Sequence, residues 1–334
     1  MAAEDRGVSH GPAYFLISVS THENLELCIR YGLAGFLGGE NGAWTFCDVA
    51  EGDFVSFLYG ARAHNLYRVA RREALCDAEV LPPWKPLTFR ESRKVYAFPF
   101  RLHLEPIREF TESLVRAEFA YVAENLLLRG GYRKTHFQAD QTTLQSVSEM
   151  GSRPKASIVP LDLPEHKSFI PRFTRNAKLA HTPETCRFKE PILQAAIRRY
   201  LSCTESLQAL LDCLRLDAQA VTIEVLGEKA LPQGFVDLLL KRRVPLGSSW
   251  KVPIEVKTKR AGRKDLDQLQ DYMRELGTDC PAGILVAAGF GRQLARQAAN
   301  QGVRLLQYSL KCDLSKAPTF EELWRGMSLE LMKD

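Results

Sequence analysis

The sequence predicts an α/β protein of two domains, and the periodicity of its apolar residues carries this prediction. Residues 12–147 contain short segments of alternating polarity, which predict a mixed β-barrel with flanking helices. Residues 186–312 alternate between helix and strand patterns, which predicts an α/β sandwich. The intervening residues 148–185 are rich in Pro, Ser and basic side chains without a sustained apolar period, so we expect a linker or an extended connection between the two domains. Residues 313–334 are predicted to form a helical tail.

Strands separated by turn residues dominate the first predicted domain. YFLISVS alternates in polarity and runs into THENLELCIRYG, a short helix that Thr21 or Asn24 could cap and Gly32 could end. DFVSFLYG and NLYRVARREAL follow as successive strands. VYAFPFRLHLEPI is predicted to be one further strand of period two, with its aromatic residues on one face.

The second predicted domain begins with two helices, KEPILQAAIRRYL and SLQALLDCLRL. Three strands follow in a row: AVTIEVLG, GFVDLLLKR and WKVPIEVKT. The helix KDLDQLQDYMREL and the strand AGILVAAGF come next, and the helix RQLARQAANQ and the strand VRLLQYSL are appended. This order predicts an αβββαβ core with a partly antiparallel sheet.

Composition limits the classes of function only broadly. The 334 residues carry a formal net charge of +5, which is compatible with a phosphate-backbone partner without being specific for one. The eight cysteines include no C-x-x-C pair, so we expect free thiols in a reducing compartment and no zinc or redox motif. The amino-terminal MAAEDRGVSHGP lacks an apolar core, and no apolar run approaches the roughly 20 residues of a membrane span. We therefore expect a cytoplasmic protein with no membrane partner.

A carboxylate and a lysine lie two residues apart in the apolar strand WKVPIEVKT, where burial of charge is costly unless it is paired or holds a metal. The preceding turn is predicted in VPLGSS. If Leu246 is the centre of that turn, Asp237 of the second strand faces Glu255 of the third. Side chains two apart share a face, so Lys257 joins both carboxylates.

This constellation has a chemical and a structural interpretation. Two neighbouring carboxylates repel each other unless a cation lies between them, and a hard divalent ion such as Mg²⁺, with Mn²⁺ as the alternative, suits oxygen ligands. Such an ion can activate water and stabilise charge on a phosphodiester. Lys257 could then orient the water, help to deprotonate it, or neutralise the phosphate. The structural alternative is a cross-strand ion pair between Lys257 and Asp237.

Asp237, followed by Glu255 and Lys257 in E-V-K, resembles the D…ExK core of the PD-(D/E)xK nuclease superfamily. The next helix carries Gln268 and Tyr272 in Q-L-Q-D-Y, which is similar to the Q-x-x-x-Y motif of its RecB-like branch. The resemblance covers residues 186–312 and implies a restriction-endonuclease-like fold. It also implies that the glutamine and tyrosine lie beside the active centre and contact DNA. Alternatively, the two residues are an ordinary face of an amphipathic helix.

The same resemblance implies further site residues. Glu190 in FKEPILQAAI stands where the family often has an additional acidic metal ligand, and Glu184 is the weaker alternative. The basic run KTKRAGRK would line the approach to the metal and hold phosphates, or it is a solvated loop. The candidate phosphate-binding residues in this run are Lys259, Arg260, Arg263 and Lys264.

AYFLISVSTHENLELCIRYGLAGF resembles the start of the YTH and EVE domains of the PUA-like superfamily. VAEGDFVSFLYG is similar to their PGD-containing strand, and VYAFPFRLHLEPI to an EVE segment. These domains grip one modified base in an aromatic pocket, because an enlarged base stacks on aromatic rings. Ala34 stands where YTH domains carry a cage tryptophan, so the resemblance favours an EVE-like pocket. The candidate pocket residues are Trp44, Trp84, Tyr96, Phe98 and Phe100, each of which could instead be core.

The two resemblances together imply a modification-dependent DNA endonuclease that acts in restriction of foreign or modified phage DNA. Two alternatives stay open. The chain could be a repair nuclease that cuts mismatched, branched or single-stranded DNA, or a modified nucleic-acid reader without catalysis. Cleavage of both strands of a duplex usually needs two active sites, which leaves a homodimer open.

Overall fold

The computed structural model describes residues 11–88, 93, 95–115, 135–155, 157–231, 234–244 and 249–332. The chain divides into two compact units. The N-terminal unit comprises Ala13–Ile192 and Cys312–Glu322, and the C-terminal unit comprises Leu193–Lys311 with residues 11–12 and 323–332. No helix in the described part of the chain is long and apolar enough to cross a membrane.

The main sheet of the N-terminal unit has seven strands in the described part of the chain. The elements of this unit are β1 Tyr14–Ser18, α1 His22–Tyr31, β2 Leu33–Phe36, α2 Glu40–Asp48, β3 Phe54–Tyr59, β4 Arg62–Ala74, β5 Leu87–Thr88, β6 Val95–Tyr96, β7 Phe100–Arg108, β8 Leu114–Val115, β9 His136–Ala139, α3 Gln141–Ser148, β10 Arg172–Thr174 and β11 Thr185–Arg187. The sheet order is β2-β7-β4-β3-β1-β9, and β8 pairs with β4. Over the described residues this path is open, so the closed PUA-like barrel stays a prediction.

Helix α1 begins and ends where local chemistry predicts. The side chain of Thr21 accepts a hydrogen bond from the backbone N–H of Asn24 at 3.2 Å, so Thr21 is the residue that caps the helix. Gly32 ends the helix with φ 55° and ψ 45°, a left-handed conformation that favours glycine. The prediction for this segment is therefore confirmed.

The segment VYAFPFRLHLEPI does not form the single strand that its alternation predicts. Residues Val95–Tyr96 pair with β5, whereas Phe100–Arg108 belongs to the main sheet. Pro99, between the two strands, has no backbone N–H to donate to a ladder, which favours a break at this point. The expectation that the aromatic residues of this segment share one face of one strand is therefore wrong.

Residues 148–185 do not behave as a free linker. The backbone N–H of Phe169 donates to the carbonyl oxygen of Ala74 at 2.8 Å, and the N–H of Cys76 donates to the carbonyl oxygen of Lys167 at 2.8 Å. Strand β10 lies in the same segment and pairs with β11. A Pro-rich extended segment has no helical or strand period, but its amides can still be satisfied by neighbouring backbone. The expected linker is therefore a packed part of the N-terminal unit.

Over its described residues, the C-terminal unit is built on a six-stranded sheet whose strands are neighbours in chain order. From residue 190 onward the elements are α4 Glu190–Leu201, α5 Thr204–Cys213, β12 Ile223–Leu231, β13 Gly234–Arg242, β14 Lys251–Arg260, α6 Arg263–Leu276, β15 Gly283–Gly289, α7 Arg292–Ala299, β16 Val303–Leu310, α8 Phe320–Arg325 and β17 Met327–Leu331. Strands β12 to β14 are antiparallel, β14 to β16 are parallel, and β17 returns antiparallel to β16. The α/β class and the order of helices and strands agree with the prediction.

The register of the β13–β14 hairpin is the predicted one. Leu238 faces Ile254 and Lys241 faces Lys251, as a turn centred on residue 246 requires. The turn itself, residues 245–248, lies outside the described residues. The hairpin therefore places residue 237 beside residue 255, as expected.

The predicted helical tail over 313–334 is only partly helical. It contains α8, but it continues into β17, in which Met327 pairs with Leu310 of β16. The letters MSLEL alternate in polarity, and pairing with an edge strand satisfies their amides. The tail is therefore a helix followed by the sixth strand of the sheet.

Candidate active site

Asp237 lies near the start of β13, where the pairing with β14 gives way to a side-chain contact. The last backbone pair on this side joins Leu238 and Ile254. Beyond it, the N–H of Val256 donates to Oδ2 of Asp237 at 2.8 Å. The carboxylate thus lies against β14 at the residue between Glu255 and Lys257.

Glu255 and Lys257 form an ion pair on β14. Nζ of Lys257 lies 2.8 Å from Oε1 of Glu255, whose side chain is only 1% exposed. Nζ also lies 4.0 Å from Oδ1 of Asp265, in the first turn of α6. A buried carboxylate costs several kcal/mol unless a cation offsets it, so Lys257 stabilises Glu255 in its charged form. The structure thus brings Asp237, Glu255 and Lys257 together at one end of the hairpin.

Gln268 and Tyr272 lie one turn apart on α6. Nε2 of Gln268 donates to the hydroxyl of Tyr272 at 3.0 Å, and that hydroxyl donates to the carbonyl oxygen of Phe235 at 2.9 Å. Tyr272 is buried, and Gln268 is exposed. Burial raises the pKa of Tyr272, the Gln268 hydrogen bond lowers it, and the charges of Glu255 and Asp237 raise it further. The phenol is therefore neutral and able to donate.

The carboxylates of Asp237 and Glu255 suit a hard divalent cation such as Mg²⁺. Mg²⁺ is usually bound by one or two carboxylates together with waters and substrate phosphates. Asp237 and Glu255 supply two carboxylates that lie on neighbouring strands. Among the described residues, no group of three or more His, Cys, Asp or Glu side chains is placed to hold a metal. The residues present fit an ion that completes its shell with water and phosphate.

Glu190 is the first residue of α4 and belongs to the N-terminal unit. Glu184, the alternative, is exposed and lies in the same unit, one residue before β11. Asp237 and Glu255 belong to the C-terminal unit. A third acidic metal ligand from this part of the chain therefore stays a prediction.

The basic run after β14 is exposed at all four predicted positions, Lys259, Arg260, Arg263 and Lys264. The register between β14 and β15 shifts between Lys257 and Arg260, which marks a bulge directly after the lysine of the site. Nη2 of Arg260 donates to the carbonyl oxygen of Phe290 at 2.9 Å. Arg263 lies 3.8 Å from Asp267 in an exposed pair, which contributes little to stability. The run is therefore basic surface, with Arg260 partly engaged by backbone.

The five aromatic candidates of the N-terminal unit differ in burial. Trp44 and Phe100 are core residues. Trp44 is buried, and its ring centroid lies 4.6 Å from that of His136. Phe100 is fully buried, and its ring centroid lies 5.4 Å from that of Phe46. The structure brings together Trp84 and Phe98, whose ring centroids are 5.4 Å apart.

Around the Trp84–Phe98 pair, exposure is uneven. Trp84 is 6% exposed and packs so closely on Gly35 that a Cβ there would overlap the indole. Phe98 and Tyr96 are half-buried. Among the five candidates, the accessible aromatic surface therefore belongs mainly to Phe98 and Tyr96.

Arg101 is a residue of this region that sequence reasoning missed. Its guanidinium is buried and donates to the carbonyl oxygens of Phe98, Pro82 and Leu81 at 3.3, 2.6 and 3.3 Å. It also lies 5.6 Å above the ring of Trp84. Burial lowers its pKa to about 10, so it stays protonated at neutral pH. The one available signal was an arginine between apolar residues in PFRLHL.

No protein-family model matches the chain, and no curated protein matches it. A repair endonuclease from Pyrococcus abyssi is 18% identical over 30% of this chain and 44% of that chain, with a TM-score of 0.23. EndoMS in complex with double-stranded DNA is 29% identical over 24% of this chain and 34% of that chain, with a TM-score of 0.21. The MspJI restriction endonuclease in complex with a 27-mer oligonucleotide is 11% identical over 86% of this chain and 64% of that chain, with a TM-score of 0.18.

The chain spans less than two thirds of each of these three proteins. Two of them are described as endonucleases, and two were solved with DNA or an oligonucleotide. At these TM-scores the likenesses carry no argument about the fold or function of this chain. The functional argument therefore rests on the residues of the site.

Proposed function

We propose that this protein is a metal-dependent DNA endonuclease whose centre is formed by Asp237, Glu255 and Lys257. One observation carries the proposal. The carboxylate of Asp237 is held on the backbone N–H of Val256, directly between a buried glutamate and the lysine that neutralises it. Two carboxylates and one cation at the end of a hairpin suit phosphodiester hydrolysis better than they suit a stabilising ion pair.

The residues of the chain have separate tasks in this mechanism. Hydrogen bonding to Val256 fixes the orientation of Asp237, and the 2.8 Å contact with Lys257 fixes that of Glu255. Both carboxylates would hold Mg²⁺ or Mn²⁺, which when bound supplies an activated water and stabilises phosphate charge. The ammonium of Lys257 orients the attacking water or neutralises negative charge that develops on the phosphate. Arg263 and Lys264 contribute further positive charge to the approach, with Lys259 and Arg260.

For the N-terminal unit we propose recognition of a modified base. Tyr96 and Phe98 are half-buried and offer aromatic surface, and the ring of Trp84 packs against that of Phe98. Recognition by this unit and cleavage by the other would make the chain a modification-dependent restriction enzyme with a role in defence. Tyr96→Ala is then expected to lower the ratio of cleavage of modified to unmodified DNA without unfolding the protein.

A second candidate function is a repair nuclease that acts on mismatched, branched or single-stranded DNA. The burial of Trp44, Trp84 and Phe100 favours it, because these three rings then offer little surface on which a flipped base could stack. In that case the N-terminal unit would grip nucleic acid without selecting a modification.

A cleavage assay with Mg²⁺ separates these functions. The full chain would be incubated with matched DNAs that are unmodified, branched, or contain methylcytosine, hydroxymethylcytosine, glucosylated hydroxymethylcytosine or methyladenine. Cleavage of one modified DNA alone, lost in Asp237→Ala, supports the first proposal. Equal cleavage of unmodified or branched DNA supports the repair function. No cleavage of any substrate would leave a non-catalytic reader and reject the nuclease.

A further inference from the structure

Two neighbouring strands of the C-terminal unit end in the same way. Strand β14 is followed by Ala261-Gly262 and by Arg263, the first residue of α6. Strand β15 is followed by Phe290-Gly291 and by Arg292, the first residue of α7. We call these two segments the glycine–arginine corners. Sequence reasoning singled out the first corner within the basic run but not the second.

The register of the sheet places the two corners side by side. Strands β14 and β15 are parallel, and Arg260 is paired with Gly289. The N–H of Ala261 donates to the carbonyl oxygen of Gly289 at 3.1 Å, and Nη2 of Arg260 donates to that of Phe290 at 2.9 Å. The carboxyl ends of parallel strands meet at one edge of a sheet, so both corners lie at the edge reached by β14 after Lys257.

The two helices that follow also lie side by side. Leu266 and Leu269 of α6 share one buried cluster with Leu294 and Ala298 of α7. Each helix runs back along a sheet of parallel strands, so their first residues are at the same end. Arg263 and Arg292, the first residues of these helices, therefore lie at neighbouring corners of the sheet.

The charge at this edge is mostly positive. Arg292 is exposed, and residues 281–300 contain two arginines and no acidic residue. The acids of the first turns of α6 face basic partners: Asp265 lies 4.0 Å from Lys257 and Asp267 lies 3.8 Å from Arg263. Acidic side chains therefore offset the positive charge of the first corner only in part. Residues 281–300 contribute no acidic side chain to offset the charge of the second corner.

We propose that the two glycine–arginine corners, with Lys259, form a surface that holds backbone phosphates of duplex DNA next to the cleavage centre. This inference rests on the proposed nuclease function and adds Arg292 as a DNA contact. One strand of duplex DNA carries a phosphate about every 3.4 Å along the axis, so two neighbouring basic corners can contact different phosphates of one strand. Contacts of this kind position the strand and carry no sequence information.

The test compares Arg292→Ala with Arg304→Ala in the full chain. Arg304 is also an exposed arginine of this unit, but it lies near the amino end of β16, opposite to the corners. The affinity for an unmodified duplex would be measured with Ca²⁺ in place of Mg²⁺ over a range of salt concentrations. Arg292→Ala should weaken binding severalfold and reduce the slope of log K against log salt by about 0.9, whereas Arg304→Ala should leave both unchanged. Arg292→Lys should retain the slope.

Unchanged binding by Arg292→Ala would overturn the inference, and so would an equal loss in both variants or the absence of duplex binding by the parent chain. Failure of the nuclease function gives a different result. A parent chain that binds through Arg292 but cleaves nothing with Mg²⁺ would keep the surface and reject the catalytic centre. Asp237→Ala should bind the duplex at least as tightly as the parent chain while cleaving none of it.

Discussion

The hydroxyl of Tyr272 donates a hydrogen bond to the carbonyl oxygen of Phe235 at 2.9 Å. Phe235 lies two residues before Asp237 on β13, so this bond ties α6 to the strand that carries the carboxylate. The resemblance to RecB-like nucleases implies that the tyrosine contacts DNA. In this protein its hydroxyl is engaged by backbone and by Gln268, and we therefore expect Tyr272 to position Asp237.

Replacement of Tyr272 by Phe tests this role. The variant should need a higher Mg²⁺ concentration for half-maximal cleavage and should bind DNA in Ca²⁺ with unchanged affinity. It should also lose about 1–3 kcal/mol in the free energy of unfolding, because the carbonyl of Phe235 loses a donor. Magnesium titrations, DNA-binding assays and urea denaturation measure the three quantities. Weaker DNA binding at unchanged magnesium dependence would instead assign Tyr272 to the DNA.

The Lys257–Glu255 pair predicts a coupled effect on stability and activity. Lys257→Gln should lower cleavage at least about 100-fold and cost roughly 3–5 kcal/mol, because it leaves a carboxylate that is 1% exposed without its cation. The double variant with Glu255→Gln should regain most of that stability but no activity. Denaturation of both single variants and the double variant completes the cycle. Additive losses of stability would argue against the pair.

Because Gly35 packs closely against Trp84, adding a side chain at Gly35 should lower the stability of the protein. Gly35→Ala puts a Cβ into the space of the indole and should destabilise the protein by about 1–3 kcal/mol. Gly39→Ala is the matched control, because a Cβ at that position meets nothing within 4 Å. Adding Trp84→Phe to Gly35→Ala should restore part of the loss. Equal unfolding temperatures for the two alanine variants would refute this close approach.

The side chains around Glu73 predict lower stability in acid. Burial lowers the pKa of His103, and the charge of Arg71 lowers it further against the opposing effect of Glu73. Burial raises the pKa of Glu73, but its contacts with Arg71, His166 and His103 bring it below the usual value. Both groups bind protons more weakly in the folded protein, so each stabilises it at high pH.

The stability due to His103 should be lost as the pH falls below its ordinary pKa of 6.5, and that due to Glu73 as it falls below 4.5. Thermal unfolding measured from about pH 7.5 to about pH 5 covers the histidine window. His103→Gln should reduce the slope in that range. A parent chain whose unfolding temperature rises on acidification would contradict the assignment.

The free thiols are expected to differ in reactivity. Burial raises the pKa of Cys28 and of Cys186 to about 12. The thiolate is the reactive form, so neither should be alkylated at pH 8 while the protein is folded. Cys213 is exposed and should be modified first. Timed alkylation followed by peptide mass spectrometry measures this order, and early labelling of Cys28 would show that its surroundings open.

Local sequence patterns predicted the C-terminal unit better than the N-terminal one. The order of helices and strands and the β13–β14 register follow from apolar periodicity and turn residues, which act between neighbours in the chain. Strand β17 of the tail and the packing of residues 148–185 were missed, because their amides are satisfied by distant backbone. Pro99 favours a break between the two strands, but the alternating polarity on both sides of it predicted one continuous strand.

The sequence by itself determined that Asp237, Glu255 and Lys257 would meet, because one hairpin register and the two-residue period of a strand suffice to place them. Only the tertiary structure decided that Tyr272 bonds to Phe235 and that the guanidinium of Arg101 lies over the ring of Trp84. It also decided that Arg292 lies at the same sheet edge as Arg263. These relations join residues far apart in the chain, and their distances depend on how helices and strands pack, which no local periodicity encodes.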